Sequence, residues 1–112
     1  MKAISGNFSL VFLLNYGGKK VLLPGDADSS IQDEILLSNA SLNRIDILKV
    51  PHHGAKTALS DDFLDRLRPK EAIISVGKNS YGHPSPELIK KLEDLGVKVR
   101  RTDLEGEIKV EL

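Results

Sequence analysis

The sequence predicts an α/β layered domain, with helices packed on a mixed sheet. Three observations carry this: apolar runs of strand length, helical apolar spacing between them, and turn residues at the boundaries. The order read along the 112 residues is β-β-α-β-α-β-α-β-β. The spacing leaves no internal repeat, low-complexity tract or linker, so a single domain over residues 1–112 is expected.

Leu10 to Tyr16 and Lys20 to Leu23 are rich in strand formers and meet at Gly17-Gly18, which reads as a hairpin. Beyond Asp26, Ser29-Ser30-Ile31-Gln32 fits a capping box. Ile31, Ile35 and Leu36 then recur at helical spacing as far as Asn39. Arg44 to Val50 reads as a buried strand that Pro51 ends. Ser60-Asp61-Asp62 cap a helix with Phe63, Leu64 and Leu67 on its apolar face, stopped by Pro69. Glu71 to Val76 is a further apolar strand closed by Gly77. Ser85-Pro86-Glu87 open a helix whose buried face is Leu88, Ile89, Leu92 and Leu95, with Gly96 at its end. Val97 to Thr102, a turn at residues 103–106, and the strict alternation of Glu107 to Leu112 predict a closing hairpin.

Composition narrows the function. Sixteen basic and 16 acidic side chains cancel, so no global field draws the chain onto nucleic acid or lipid. Cysteine is absent, which removes disulfides and thiolate metal sites and leaves oxygen and nitrogen ligands. The longest apolar run, Leu10 to Leu14, is far short of the roughly 20 residues that cross a bilayer. With 2 tyrosines and 3 phenylalanines, a base-stacking platform is not expected.

The chemistry-bearing residues fall just after predicted strands. Val21-Leu22-Leu23-Pro24-Gly25-Asp26 presents a carboxylate, Leu48-Lys49-Val50-Pro51-His52-His53-Gly54 presents paired imidazoles, and His83 lies in the loop after the strand that ends at Val76. In open α/β sheets, ligands bind beyond the carboxyl ends of the strands, so adjacent parallel strands would deliver all of these to one rim. Aspartate and neutral histidine suit zinc or manganese, and such ions lower the pKa of bound water to about 7. Lys56, Thr57, Lys78, Asn79 and Ser80 have the charge and donors to hold a phosphate. Other readings stand beside these. A Gly-Asp after a strand is also an ordinary turn and helix cap. His83 and the polar loops are equally compatible with plain solvation, and the basic residues Lys98, Arg100 and Arg101 with a solvated face.

Four segments in order resemble one family. Asn7-Phe8-Ser9-Leu10-Val11, Leu23-Pro24-Gly25-Asp26-Ala27, Leu48 to Thr57, and Ile73 to Asn79 with Tyr81-Gly82-His83-Pro84 are similar to the C-terminal part of the metallo-β-lactamase-like domain of ComEC-type competence proteins. The resemblance covers nearly the whole chain. It implies half of an αββα sandwich, in a bacterial membrane protein that takes up DNA and degrades one strand. It also implies metal ligands at Asp26 and His52, and catalytic or substrate-contacting roles for His53 and His83. Zinc or manganese, single-stranded DNA and the remainder of the parent chain are the implied cofactor and partners; no small-molecule cofactor is. This piece would be a soluble part of the parent.

The family's His-x-His-x-Asp-His cluster has no counterpart here, and Asn7 stands where a middle histidine is expected. A complete sandwich needs roughly twice this length, so the chain is expected to be a fragment, catalytically silent alone, with part of a sheet face uncovered. The alternatives are a complete small α/β module that binds an anion or a partner, and a degenerate domain that guides DNA.

Overall fold

Alternation of side chains along the strands divides one sheet into two unlike faces, and this division organises the molecule. The computed structural model describes residues 2–6, 9–77 and 82–110, with side chains from residue 11 onward. The strands are β1 (Lys2–Gly6), β2 (Ser9–Tyr16), β3 (Lys19–Leu23), β4 (Ile47–Lys49), β5 (Glu71–Ile74) and β6 (Lys98–Arg101). They lie side by side in chain order. β1–β2 and β2–β3 pair antiparallel, and β3 to β6 pair parallel, so the sheet is mixed as the sequence predicts.

Three helices supply the parallel crossovers: α1 (Ser29–Ser38), α2 (Asp61–Leu67) and α3 (Pro86–Asp94). Because the strands are added in one direction and such crossovers are right-handed, all three helices fall on one face. The core agrees. Val11, Leu22, Leu48, Ala72 and Ile74 from one face pack with Ile35, Phe63, Leu64, Leu67, Leu88 and Leu92 from the helices. On the opposite face the register sets Phe12 beside Leu23, Leu14 beside Val21, and Val21 beside Ile47. Ile47 is buried yet stands outside that core; among the described residues no crossover helix covers this second face, and only Glu105 of the C-terminal turn and Lys109 and Val110 reach its β4–β6 side. A single helix-backed sheet with one open face is half of an α/β sandwich.

The helix starts follow their caps. Ser60 Oγ accepts from the Phe63 amide at 3.0 Å, and Ser85 Oγ accepts from the Leu88 amide, with Pro86 opening α3. At α1 the cap is Asp28 rather than Ser29: its Oδ1 accepts from the Ile31 amide at 3.1 Å and from the Ser30 hydroxyl. That shift frees Gln32 from the capping role its spacing suggested. α1 has no basic residue in its last turn, and Arg66 of α2 supplies the missing charge. The guanidinium donates to the carbonyls of Leu36, Asn39 and Leu42 at 3.1, 2.7 and 2.9 Å, satisfying orphan acceptors at the helix end.

The structure corrects the sequence reading at both ends. β1 precedes the predicted hairpin and extends the sheet. Among the described residues the closing hairpin does not form; Glu111 and Leu112, the end of its second predicted strand, lie outside them. Thr102–Glu105 makes one helical turn, α4, ended by Gly106 at φ 74°, and residues 107–110 are irregular. Local side chains occupy the edge of β6 instead of a strand. Glu105 accepts from the Arg101 amide and the Arg100 guanidinium, and Asp103 from the Arg101 guanidinium. The alternation of Glu107 to Val110 therefore has no ladder to join. The predicted strand from Arg44 shortens to Ile47–Lys49, because Arg44 takes a positive φ of 35° that a strand excludes.

Candidate functional site

β3, β4 and β5 are adjacent and parallel, so the loops that follow them share one rim of the sheet. The first loop holds Asp26. The Ala27 amide donates to the Pro24 carbonyl at 3.1 Å, closing a tight turn with Gly25 at φ 60°, and this leaves Asp26 exposed at its tip. Asp28, two residues on, also faces solvent. Its carboxyl is held below the usual carboxylate range, chiefly by the Ile31 amide, then by the Ser30 hydroxyl, with a smaller contribution from His52. His52 thus lies within electrostatic reach of the first loop.

The second loop is the most constrained backbone at the rim. His52, His53 and Gly54 form a short 3-10 turn with φ of 52°, 54° and 77°, three successive left-handed residues. Such a conformation costs a non-glycine residue about 1–2 kcal/mol, and strain of this kind collects at functional sites. Both rings are exposed. His53 Nδ1 lies 2.7 Å from the Ser75 carbonyl at the end of β5. A carbonyl only accepts, so Nδ1 carries the proton, and Nε2 is the ring nitrogen left to meet a ligand. The His52 ring makes no hydrogen bond to any described residue.

The third loop docks on the second. The Ser85 amide donates to the Gly54 carbonyl at 2.7 Å, and a Cβ on Gly54 would stand 2.7 Å from Pro84 Cβ. This contact fixes the loop that holds His83 against the histidine loop. Thr102 holds the same loop near its start: its hydroxyl accepts from the Val76 amide and donates to the Val76 carbonyl. Lys56 is exposed and pairs with Glu87 of α3 at 3.2 Å, so its charge is shared with that carboxylate. Thr57 is exposed. Lys78, Asn79 and Ser80 lie outside the described residues.

One residue that pattern reading passed over joins the first two loops. Gln32 of α1 is fully buried. Its Nε2 donates to the Ala27 carbonyl at 2.9 Å and to the Ala58 carbonyl at 2.7 Å, and its Oε1 accepts from the Ser60 amide at 2.8 Å. The Asp26 loop and the histidine loop are therefore fastened to one side chain. The apolar neighbours of Gln32 in the helix pattern were the only sequence sign that it faces inward.

Aspartate oxygen and imidazole nitrogen are suitable donors for zinc or manganese. Among the described residues, no three or more His, Asp or Glu side chains converge to hold an ion. An ion held at this rim would therefore need ligands beyond the described side chains.

Two outcomes follow from this geometry. His52→Gly is expected to raise stability by about 1 kcal/mol by relieving the positive φ, read as a higher melting temperature; an unchanged or lower value contradicts the strain. Asp28, Asp46 and Asp103 all have lowered folded pKa values, caused first by the Ile31 amide, the Lys20 amide and the Arg101 side chain respectively. A carboxyl depressed in the folded state stabilises above its unfolded value and loses that contribution as pH falls through the folded one. The melting temperature is therefore expected to hold steady down to about pH 5 and to fall below about pH 4, with a smaller fall in Asp28→Asn, which keeps the cap. A melting temperature that rises on acidification contradicts this.

No family model matches the chain. It is 37% identical over 107 residues to "ComE operon protein 3" of Bacillus subtilis, covering 95% of this chain and 14% of that protein. It is 36% identical over 103 residues to "Recombination protein 2" of Haemophilus influenzae, with 91% of this chain and 13% of the relative covered. Against "Competence protein ComA" of Neisseria gonorrhoeae the identity is 31% over 99 residues, 88% of this chain and 14% of the relative. The matched region is a small part of much longer relatives, and it takes in all three rim loops. The chain belongs to the ComEC-type competence protein family, which it matches along one segment of 13–14% of the relatives' length.

Proposed function

We propose that this chain is one half of a metallo-β-lactamase-like domain that, when complete, hydrolyses phosphodiester bonds of DNA during competence. The observation that carries the reading is that the loops bearing Asp26, His52-His53 and His83 follow adjacent parallel strands, the first two tied by Gln32 and the last two by the Gly54–Pro84 contact. A divalent ion bound there would supply Lewis-acid polarisation of a phosphoryl oxygen and a more acidic water. Asp26 is the oxygen donor. The bond to Ser75 orients His53 as metal-binding histidines are usually oriented, which favours His53 Nε2 over His52 as the nitrogen donor. His52, beside Asp28, and His83 then face the phosphate, with Lys56, Thr57, Lys78 and Asn79 as candidate phosphate contacts.

The absence of a three-ligand group among the described residues gives weight to a second reading, a degenerate domain that guides DNA without turnover. Cleavage assays separate the two. The purified 112 residues are expected to leave single-stranded DNA intact with manganese or zinc, and a longer form containing the remaining ligands is expected to cleave it. Asp26→Asn in that longer form should lower the rate at least about 100-fold. A longer form that binds DNA but never cleaves it supports the guiding role. Cleavage by the 112 residues alone, abolished by Asp26→Asn, contradicts the half-site.

A further inference from the structure

The second sheet face carries a charge that no described residue answers. Its β2–β4 side is apolar, with Phe12, Leu14, Val21, Leu23 and Ile47 on it, and its β5–β6 side is charged. Among the cations on this face, Lys19 is exposed at the strand end, Lys98 reaches Glu71 at 3.9 Å and Arg100 reaches Glu105 at 3.2 Å. Lys49 differs. It stands in the middle of the sheet, across from Ile73, half-buried, and forms no hydrogen bond or ion pair with any described residue. Burial lowers its pKa.

These facts constrain what can cover the face. A purely apolar layer would bury the Lys49 amine without a partner, which is strongly unfavourable. A second copy stacked about the centre of the face would set two such amines against each other. An apolar layer with an acid at that point satisfies both requirements, because it covers the aliphatic side and neutralises the amine in the same contact. We propose that the open face is the docking surface for an apolar polypeptide layer that carries a carboxylate opposite Lys49. The proposal rests on reading the chain as half of a sandwich, and it states the chemistry of the missing half.

A charge-swapped copy of the chain serves as the probe, since K49E presents the same apolar face with a carboxylate at its centre. Sedimentation of wild type alone, K49E alone and their equimolar mixture is expected to show association of the mixture at least about tenfold tighter than either component, equivalent to about 1.4 kcal/mol. Carbodiimide, which joins amines to carboxylates, should link Lys49 of one copy to the introduced acid of the other. K49D repeats the test should K49E fail to fold, and K49Q should lose the preference. Equal association in all samples, tighter self-association of the wild type, or no association of the mixture overturns the proposal. The rim loops take no part in this assay, so its failure leaves the metal reading untouched, and loss of metal binding leaves this face untouched.

Discussion

Gly54→Ala is expected to lower stability by about 3 kcal/mol or more. The residue has a φ of 77°, where an added Cβ is strained, and that Cβ would stand 2.7 Å from Pro84 Cβ and 3.2 Å from Ile74 Cγ2. Ile74 is fully buried in β5 and has no room to retreat. The Pro84 side must move, and with it the Ser85 amide that donates to the Gly54 carbonyl. Denaturant unfolding measures the loss, and amide shifts at residues 82–85 locate it. A loss below about 1 kcal/mol with unmoved shifts contradicts the close docking of the third loop on the second.

Gln32→Leu comes next, with an expected loss of about 3–5 kcal/mol despite its similar size and added apolar surface. It strands the carbonyls of Ala27 and Ala58 and the Ser60 amide, each worth about 1–3 kcal/mol when buried without a partner. Gln32→Glu separates hydrogen bonding from shape. A carboxyl enclosed here faces two carbonyl oxygens and keeps its proton, so its folded pKa rises above the unfolded value of about 4.3. The sign then opposes that of the wild-type aspartates. Gln32→Glu should be destabilised at neutral pH and regain stability as pH falls toward 4. Unfolding curves from pH 7 to pH 4 decide this, and a variant as stable as wild type at pH 7 contradicts the buried network.

The helices and parallel strands were legible because apolar periodicity and punctuation agree: Pro69 and Gly96 lie just past α2 and α3, and Ser60 and Ser85 cap them. The rim was legible for the same reason, since Pro24-Gly25 and Pro51 announce strand ends just before the polar residues. What stayed hidden depended on contacts remote in sequence. Asp28 takes the cap from Ser29 because its carboxylate reaches the Ile31 amide, and only then is Gln32 free to tie together loops that lie 26 and 28 residues away. The alternation of residues 107–112 is as regular as that of any strand. Pairing needs an available edge, and the carboxylate of Glu105 already takes the Arg101 amide on that of β6.

Paramagnetic broadening of amide signals by manganese reports where an ion sits, whether or not the chain turns over substrate. Substoichiometric manganese is expected to broaden residues 25–28, 52–55 and 82–85 first, and Asp26→Asn is expected to remove the effect. Broadening centred instead on the helical carboxylates Asp61, Asp65 and Asp94, or spread evenly over the acidic surface, would contradict a half-site at the rim.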